Sequence, residues 1–337
     1  MKEAYLYKKL KNETSQCQTC AHYCVLKNGE IGLCGVRKNN NGKIYSLVYG
    51  RACAVNIDPI EKKPFFHFLS GTKSLSIATV GCNFSCKNCQ NWNISQGPKL
   101  TGKIEGENVS PEEIVEKAKQ YKVPSISYTY TDPAVFLEYA LDTMKLAKKA
   151  KLKNTWVTNG FLSKETLNLI SSYLDATNVD LKGFTENFYK KYCAGRLQPV
   201  LDTLKRMKKA KIWIEITTLV IPTLNDDEKT FKNIANFIKK ELGPETPWHI
   251  TQFCGAISWK LQNLPNTSVE TLKKAYEIGK KVGLKYVYTG NIAGMESEDT
   301  YCPKCKTKMI ERLGYLITRY DRNGKCSKCG ESLNIIE

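Results

Sequence analysis

The stretch SLSIATVGCNFSCKNCQNW, Ser74–Trp92, joins a short strand directly to a cysteine loop. Leu75 to Val80 is an apolar, β-branched run of strand length, and Gly81 ends it. C-x3-C-x2-C follows at once, formed by Cys82, Cys86 and Cys89. Three ligands is the informative count. A [4Fe–4S] cluster has four irons, so three thiolates leave one iron open to a ligand that is not protein. Zinc on three cysteines is the alternative, but no fourth cysteine or histidine stands in the neighbourhood.

Downstream, strand-like runs alternate with amphipathic segments as far as about residue 290, the pattern of repeated βα units. Further strands are predicted at Ser125–Tyr130, Asn154–Thr158, Ala176–Leu181, Ile212–Ile221, His249–Phe253 and Tyr286–Tyr288. Ser110-Pro111-Glu112-Glu113 starts a helix with a serine cap, a proline in the first turn and acids at the positive end of the dipole. Asn225-Asp226-Asp227-Glu228 starts another, with Phe231, Ile234 and Ile238 as its buried stripe. The fold class is therefore α/β, a full or partial βα barrel with its site at the C-terminal strand ends. A doubly wound open sheet fits the same alternation.

The 337 residues include 14 cysteines, and the N-terminus lacks the apolar core of a secretory signal. No apolar run reaches the roughly 18 residues of a membrane span. A cytoplasmic location is expected, where disulfides are rare and metal ligation is the leading use of so many thiols. Residues 1–73, with Cys17, Cys20, Cys24 and Cys34 among glycines and asparagines, read as a small metal-stapled domain. The barrel is expected over 74–295. Residues 296–337 are too short for a core without a staple and carry C-x2-C…x20…C-x2-C at Cys302, Cys305, Cys326 and Cys329, the spacing of a zinc ribbon. The N-terminal quartet suits zinc, which is favoured here with His22 as a substitute ligand, or an auxiliary iron–sulfur cluster. The formal charge of +18 falls to about +13 once metal-bound thiolates are counted. That surface could attract nucleic acid, an acidic protein or an anionic substrate, although many lysines lie on solvated helix faces.

The cysteine triplet on the loop after the first barrel strand resembles the hallmark of the radical SAM superfamily. Asp58-Pro59-Ile60-Glu61-Lys62-Lys63-Pro64, Thr79-Val80-Gly81-Cys82-Asn83-Phe84, Cys89-Gln90-Asn91-Trp92, Tyr128-Thr129-Tyr130, Asn178-Val179-Asp180-Leu181-Lys182-Gly183 and Tyr301-Cys302-Pro303 resemble the AmmeMemoRadiSam-system radical SAM proteins over nearly the whole chain. Those are related to the activating enzymes of pyruvate formate-lyase and other glycyl radical enzymes. The resemblance implies a partial (βα)6 TIM-like radical SAM barrel with a Cys-rich N-terminal domain and a C-terminal zinc ribbon. It implies Cys82, Cys86 and Cys89 as cluster ligands and S-adenosylmethionine (SAM) as cosubstrate. Thr131 and Asp132 stand in place of the motif that meets the SAM amino group. Asn159, in Thr158-Asn159-Gly160, and Asp180, in Asp180-Leu181-Lys182, resemble further cofactor contacts. Asp180 and Lys182 are the implied catalytic pair. Two departures stand out: Asn88 replaces an aromatic before the third cysteine, and Gln252-Phe253-Cys254 replaces a histidine-containing segment.

The implied activity is reductive cleavage of SAM to a 5′-deoxyadenosyl radical that takes hydrogen from a substrate, a protein glycine by analogy with the activases. A flavodoxin- or ferredoxin-type donor and partner proteins of the AmmeMemoRadiSam system are the implied partners. Radical modification of a small molecule or RNA is one alternative; a non-enzymatic, zinc-dependent nucleic-acid scaffold is another. With three histidines in the chain, histidine acid–base chemistry has little support. His67 is expected among aromatics, and His249 as a satisfied core residue. Cys53, Cys193 and Cys254 are expected to be inert, and Arg196 is a candidate anion contact.

Overall fold

The structure is a computed structural model of the chain, describing residues 1–292 and 294–337. Eight strands make the central sheet: β1 (Ala54–Pro59), β2 (Lys73–Ala78), β3 (Ser125–Tyr128), β4 (Lys153–Thr158), β5 (Ala176–Asp180), β6 (Trp213–Val220), β7 (Trp248–Gln252) and β8 (Val287–Gly290). β2 to β8 are parallel and lie in sequence order, and β1 adds antiparallel to β2. A doubly wound sheet would reverse its order at a switch point, and this one does not. Each right-handed crossover therefore returns on the same side, giving a barrel-like sheet that stays open between β8 and β1. The sheet takes in residues 54–59, upstream of the 73/74 boundary drawn from composition.

Strand alternation gives the sheet two unlike faces. On one face, Ser74, Ser127 and Thr155 join β2, β3 and β4 through hydroxyl contacts of 2.6 and 2.7 Å. Leu75, Ile77, Ile126, Tyr128 and Trp156 point the other way and pack with helix residues such as Ile114, Leu141 and Met144.

The crossover helices are α1 (Trp92–Thr101), α2 (Pro111–Gln120), α3 (Leu137–Lys149), α4 (Lys164–Ile170), α5 (Leu197–Lys209), α6 (Glu228–Phe237) and α7 (Val269–Val282). Both predicted helix starts are present. Ser110 and Glu113 close a reciprocal capping box on α2, and Asp227 caps α6 through Thr230 N at 2.9 Å.

Short antiparallel sheets flank the barrel at both ends of the chain. The N-terminal segment is tied to α3 by the buried Arg37–Glu138 ion pair at 2.6 Å. The C-terminal segment docks through His67, whose Nδ1 lies 3.0 Å from the Leu333 carbonyl and whose Nε2 lies 2.6 Å from the Tyr288 hydroxyl. Tyr286 and Tyr288 pack on its ring. His249 Nε2 meets Glu215 Oε2 at 2.7 Å, deep in the core, so both histidines sit as expected. Burial pushes His67 down to about 4, so the folded protein holds it neutral. A depressed folded pKa contributes stability above the unfolded value of about 6.5 that is lost as pH falls toward 4, worth about 3 kcal/mol in full. In His67→Gln, denaturant titrations should show stability falling less steeply between pH 6.5 and 4.5, by about 2 kcal/mol; an unchanged slope would refute the assignment.

Candidate active site

The Cys82–Cys89 loop leaves the C-terminal end of β2 and has no regular structure of its own. Other elements hold it. Ser85 N and Lys87 N donate to the carbonyls of Cys193 and Tyr192, in the turn after β5, at 3.0 and 2.8 Å. Trp259 N and Lys260 N reach the carbonyls of Cys89 and Lys87 at 3.2 and 2.8 Å. Lys99 of α1 donates to the Phe84 carbonyl at 2.8 Å and to Ser85 Oγ at 3.0 Å, placing a cation behind the thiols. Gly81 turns the chain at φ +97°, and a Cβ there would stand 2.5 Å from Val36 Cγ1 and 3.0 Å from the Cys34 carbonyl. Only glycine serves at that junction with the N-terminal segment.

All three thiols open on one cavity of about 1820 Å³, counting the solvent in its mouth. Thr131, Asn159, Asp180 and Lys182 line it too, so strand ends far apart in sequence converge there. Lys182 Nζ meets Asp180 Oδ2 at 2.7 Å. Burial works against the lysine's charge, but Asp180 and the thiols of Cys86 and Cys193 outweigh it and raise its pKa. Asn159 Nδ2 donates to Asn83 Oδ1 at 2.7 Å and lies 3.9 Å from Cys82 Sγ. Asn88, Gln252 and Cys254, the positions of the two departures, also line the space.

Asp132 is placed differently. It is fully buried and absent from the lining, and its carboxylate accepts from Thr158 Oγ1, Asn159 N and Ala134 N at 2.9, 2.9 and 3.0 Å. These three bonds tie the end of β4 to the turn that follows Asp132, so its carboxylate supports the floor of the cavity from below. Desolvation pushes it up to about 6. Cys193 is likewise buried beside Cys86, and one guanidinium nitrogen of Arg196 donates to the Ala21 carbonyl.

Lys62, Lys63 and Tyr130, which the sequence offered within resembling motifs but with no role of their own, also reach the cavity. Asp58 gathers them: Lys62 Nζ at 2.8 Å, Lys63 Nζ at 2.7 Å, and the Tyr130 hydroxyl. Desolvation lowers Lys63 to about 8 despite Asp58. The available signal was the charged run Glu61-Lys62-Lys63, lying beside a strand that composition does not announce.

The cysteine sets differ in spread. At the C-terminus, Cys302 and Cys329 sulfurs are 3.6 Å apart, Cys305 and Cys326 sulfurs 3.5 Å, and all four lie within 4.8 Å of one another. A tetrahedral zinc with four thiolates demands about 3.8 Å, so this quartet can bind one metal ion. Neither Cys82, Cys86 and Cys89 nor the N-terminal quartet closes to that separation. The triplet thus suits a polynuclear centre better than a single ion.

Residues 76–237 match the radical SAM superfamily. The chain thus carries a radical SAM domain over those residues, built on the parallel α/β sheet described above. It is similar over its whole length to an uncharacterized protein of Methanocaldococcus jannaschii, 44% identical over 339 residues and covering 100% of both chains. A second protein of that organism, named provisionally as a glycyl-radical enzyme activating enzyme, is 26% identical over 225 residues, 65% of this chain and 80% of its own. Among solved structures, Streptococcus suis SuiB bound to its precursor peptide SuiA shares the fold at TM-score 0.50 and 14% identity, covering 69% of this chain and 51% of SuiB.

Burial raises the thiols of Cys82 and Cys89, and contact with Cys193 followed by burial raises Cys86. Ligation must therefore expel protons held at neutral pH. Anaerobic metal loading of apoprotein in weak buffer should release about one proton per thiol, and Cys82→Ala/Cys86→Ala/Cys89→Ala should lack that share. Equal release from both proteins would contradict the assignment.

Proposed function

We propose that this protein is a radical SAM enzyme of the AmmeMemoRadiSam type, in which Cys82, Cys86 and Cys89 hold a [4Fe–4S] cluster whose open iron binds SAM. The observation that carries this is the convergence of three thiols too widely spread for one ion on a cavity shared with Thr131, Asn159, Asp180 and Lys182. Held there, a reduced cluster would supply one electron to the SAM sulfonium, releasing methionine and a 5′-deoxyadenosyl radical able to take hydrogen from substrate.

The chain's own groups act by binding and placement. The Thr131 hydroxyl donates to the Thr79 carbonyl at 3.0 Å, fixing the Thr129–Thr131 turn whose backbone faces the cavity and can accept from a SAM amine. Asn159 stands at Cys82, where its amide orients the cofactor side of the loop. Asp180 offers a carboxylate to ribose hydroxyls or an amine, and Lys182 offers a fixed cation to a carboxylate. Asp132 is a positioning residue that locks β3 to β4 beneath them. Lys62 and Lys63 at the far end favour an anionic substrate group. Similarity to a provisionally named activating enzyme supports a protein glycine as hydrogen donor, with an acidic flavodoxin or ferredoxin meeting the basic surface. Zinc at Cys302, Cys305, Cys326 and Cys329 staples the C-terminal segment. The radical SAM domain supports an enzyme over a non-enzymatic scaffold.

Each of Cys82→Ala, Cys86→Ala and Cys89→Ala should abolish reductive formation of 5′-deoxyadenosine; retention in any one would mean the wrong ligands. Lys182→Met should lower turnover at least about tenfold, the scale of one lost charge-assisted contact, while the reduced cluster keeps its spectrum. Cys302→Ser/Cys326→Ser should lose about one zinc per chain and leave iron unchanged. A parallel loss of iron would overturn the staple role.

A further inference from the structure

The second cavity of interest lies in the N-terminal segment, outside the barrel. Cys17, Cys20, Cys24 and Cys34 all line it, with His22 and Arg37, around an empty space of about 350 Å³ including its mouth. The four thiols come from a strand end at Cys17, the segment from Cys20 to Cys24 and the turn at Cys34, yet line one cavity. They do not close up as the C-terminal quartet does: no three of them, with or without His22, lie within 4.8 Å of one another. The difference belongs to how the backbone presents the thiols. One tetrahedral metal needs thiolates about 3.8 Å apart. A centre of four irons, each with its own thiolate, needs them at the corners of a larger figure.

The walls are rigid and anchored. Ser163 Oγ and Thr166 Oγ1, which open α4, donate to the Thr19 carbonyl at 3.2 and 2.7 Å. Cys20 bridges to Leu162, and Ala21 N donates to the Phe161 carbonyl at 3.2 Å. His22, the substitute zinc ligand suggested by sequence, is drawn away: its Nε2 lies 2.8 Å from the Asn83 carbonyl. The cavity also holds a donor without a partner. Arg37 is 2% exposed, its terminal nitrogens are taken by Glu138, and its Nε–H has no hydrogen-bond partner. Inorganic sulfide and cysteinyl sulfur are acceptors that such a donor meets in iron–sulfur sites, and its charge offsets their negative charge. The site also abuts the Cys82 loop, through the His22–Asn83 contact and the packing of Gly81 on Cys34 and Val36.

We propose that Cys17, Cys20, Cys24 and Cys34 bind a second [4Fe–4S] cluster, not zinc, with Arg37 Nε–H directed to its sulfur. Metal and sulfide analysis of anaerobically reconstituted protein tests this without depending on catalysis. About eight irons and one zinc per chain are expected; about four irons and two zincs would overturn it. Cys82→Ala/Cys86→Ala/Cys89→Ala should retain about four irons with a Mössbauer spectrum that SAM leaves unchanged. Zinc without iron in that variant also overturns it. Cys17→Ser/Cys20→Ser should lose that cluster and keep the one whose spectrum SAM perturbs; should it fail to fold, the wild-type stoichiometry and the triple variant still decide. Eight irons with no response to SAM anywhere would sink the proposed function and leave this site standing.

Discussion

The spacing of sulfur atoms is the constraint from which the rest follows. A loop cannot hold three thiols apart by itself, because nothing within its eight residues from Cys82 to Cys89 opposes collapse. The parting is imposed from outside, by the turn after β5, by residues 258–260, by Lys99 and by the Gly81 junction with the N-terminal segment. Barrel and flanking segment thus form one support for the cluster loop, and a change far from the thiols, such as a side chain at Gly81, reaches them through packing.

Below the loop, β2, β3 and β4 turn serine and threonine side chains to one face of the sheet. Ser74, Ser127 and Thr155 satisfy one another across β2, β3 and β4, which keeps those polar groups inexpensive in a dry sheet. The same economy appears at the strand ends, where Asp132 satisfies three donors so that its neighbours are free to face the cavity.

The parallel strands and helix starts were legible because period and capping chemistry are local. Ser110 and Asp227 cap helices as their sequences dictate. β1 was not legible: Ala54–Pro59 lies among turn-forming residues, has no crossover helix, and exists because the edge of β2 needs a partner. Thr131 and Asp132, adjacent in sequence, part company in space, one at the cavity and one beneath it. Lys62 and Lys63 gained their place only through the tertiary route of β1 and Asp58. Cysteine spacing along the chain also left zinc and iron–sulfur open at the N-terminus, because sequence separation says nothing of how far turns hold sulfurs apart.

The central claim is that the iron left free by Cys82, Cys86 and Cys89 takes SAM as a ligand. Electron–nuclear double resonance on the anaerobically reduced protein, with SAM isotopically labelled at its amino nitrogen, reads that bond directly. Nitrogen hyperfine coupling to the cluster, absent in Cys86→Ala, is the expected result. A reduced cluster whose spectrum carries no coupling from the bound nucleoside would contradict the account.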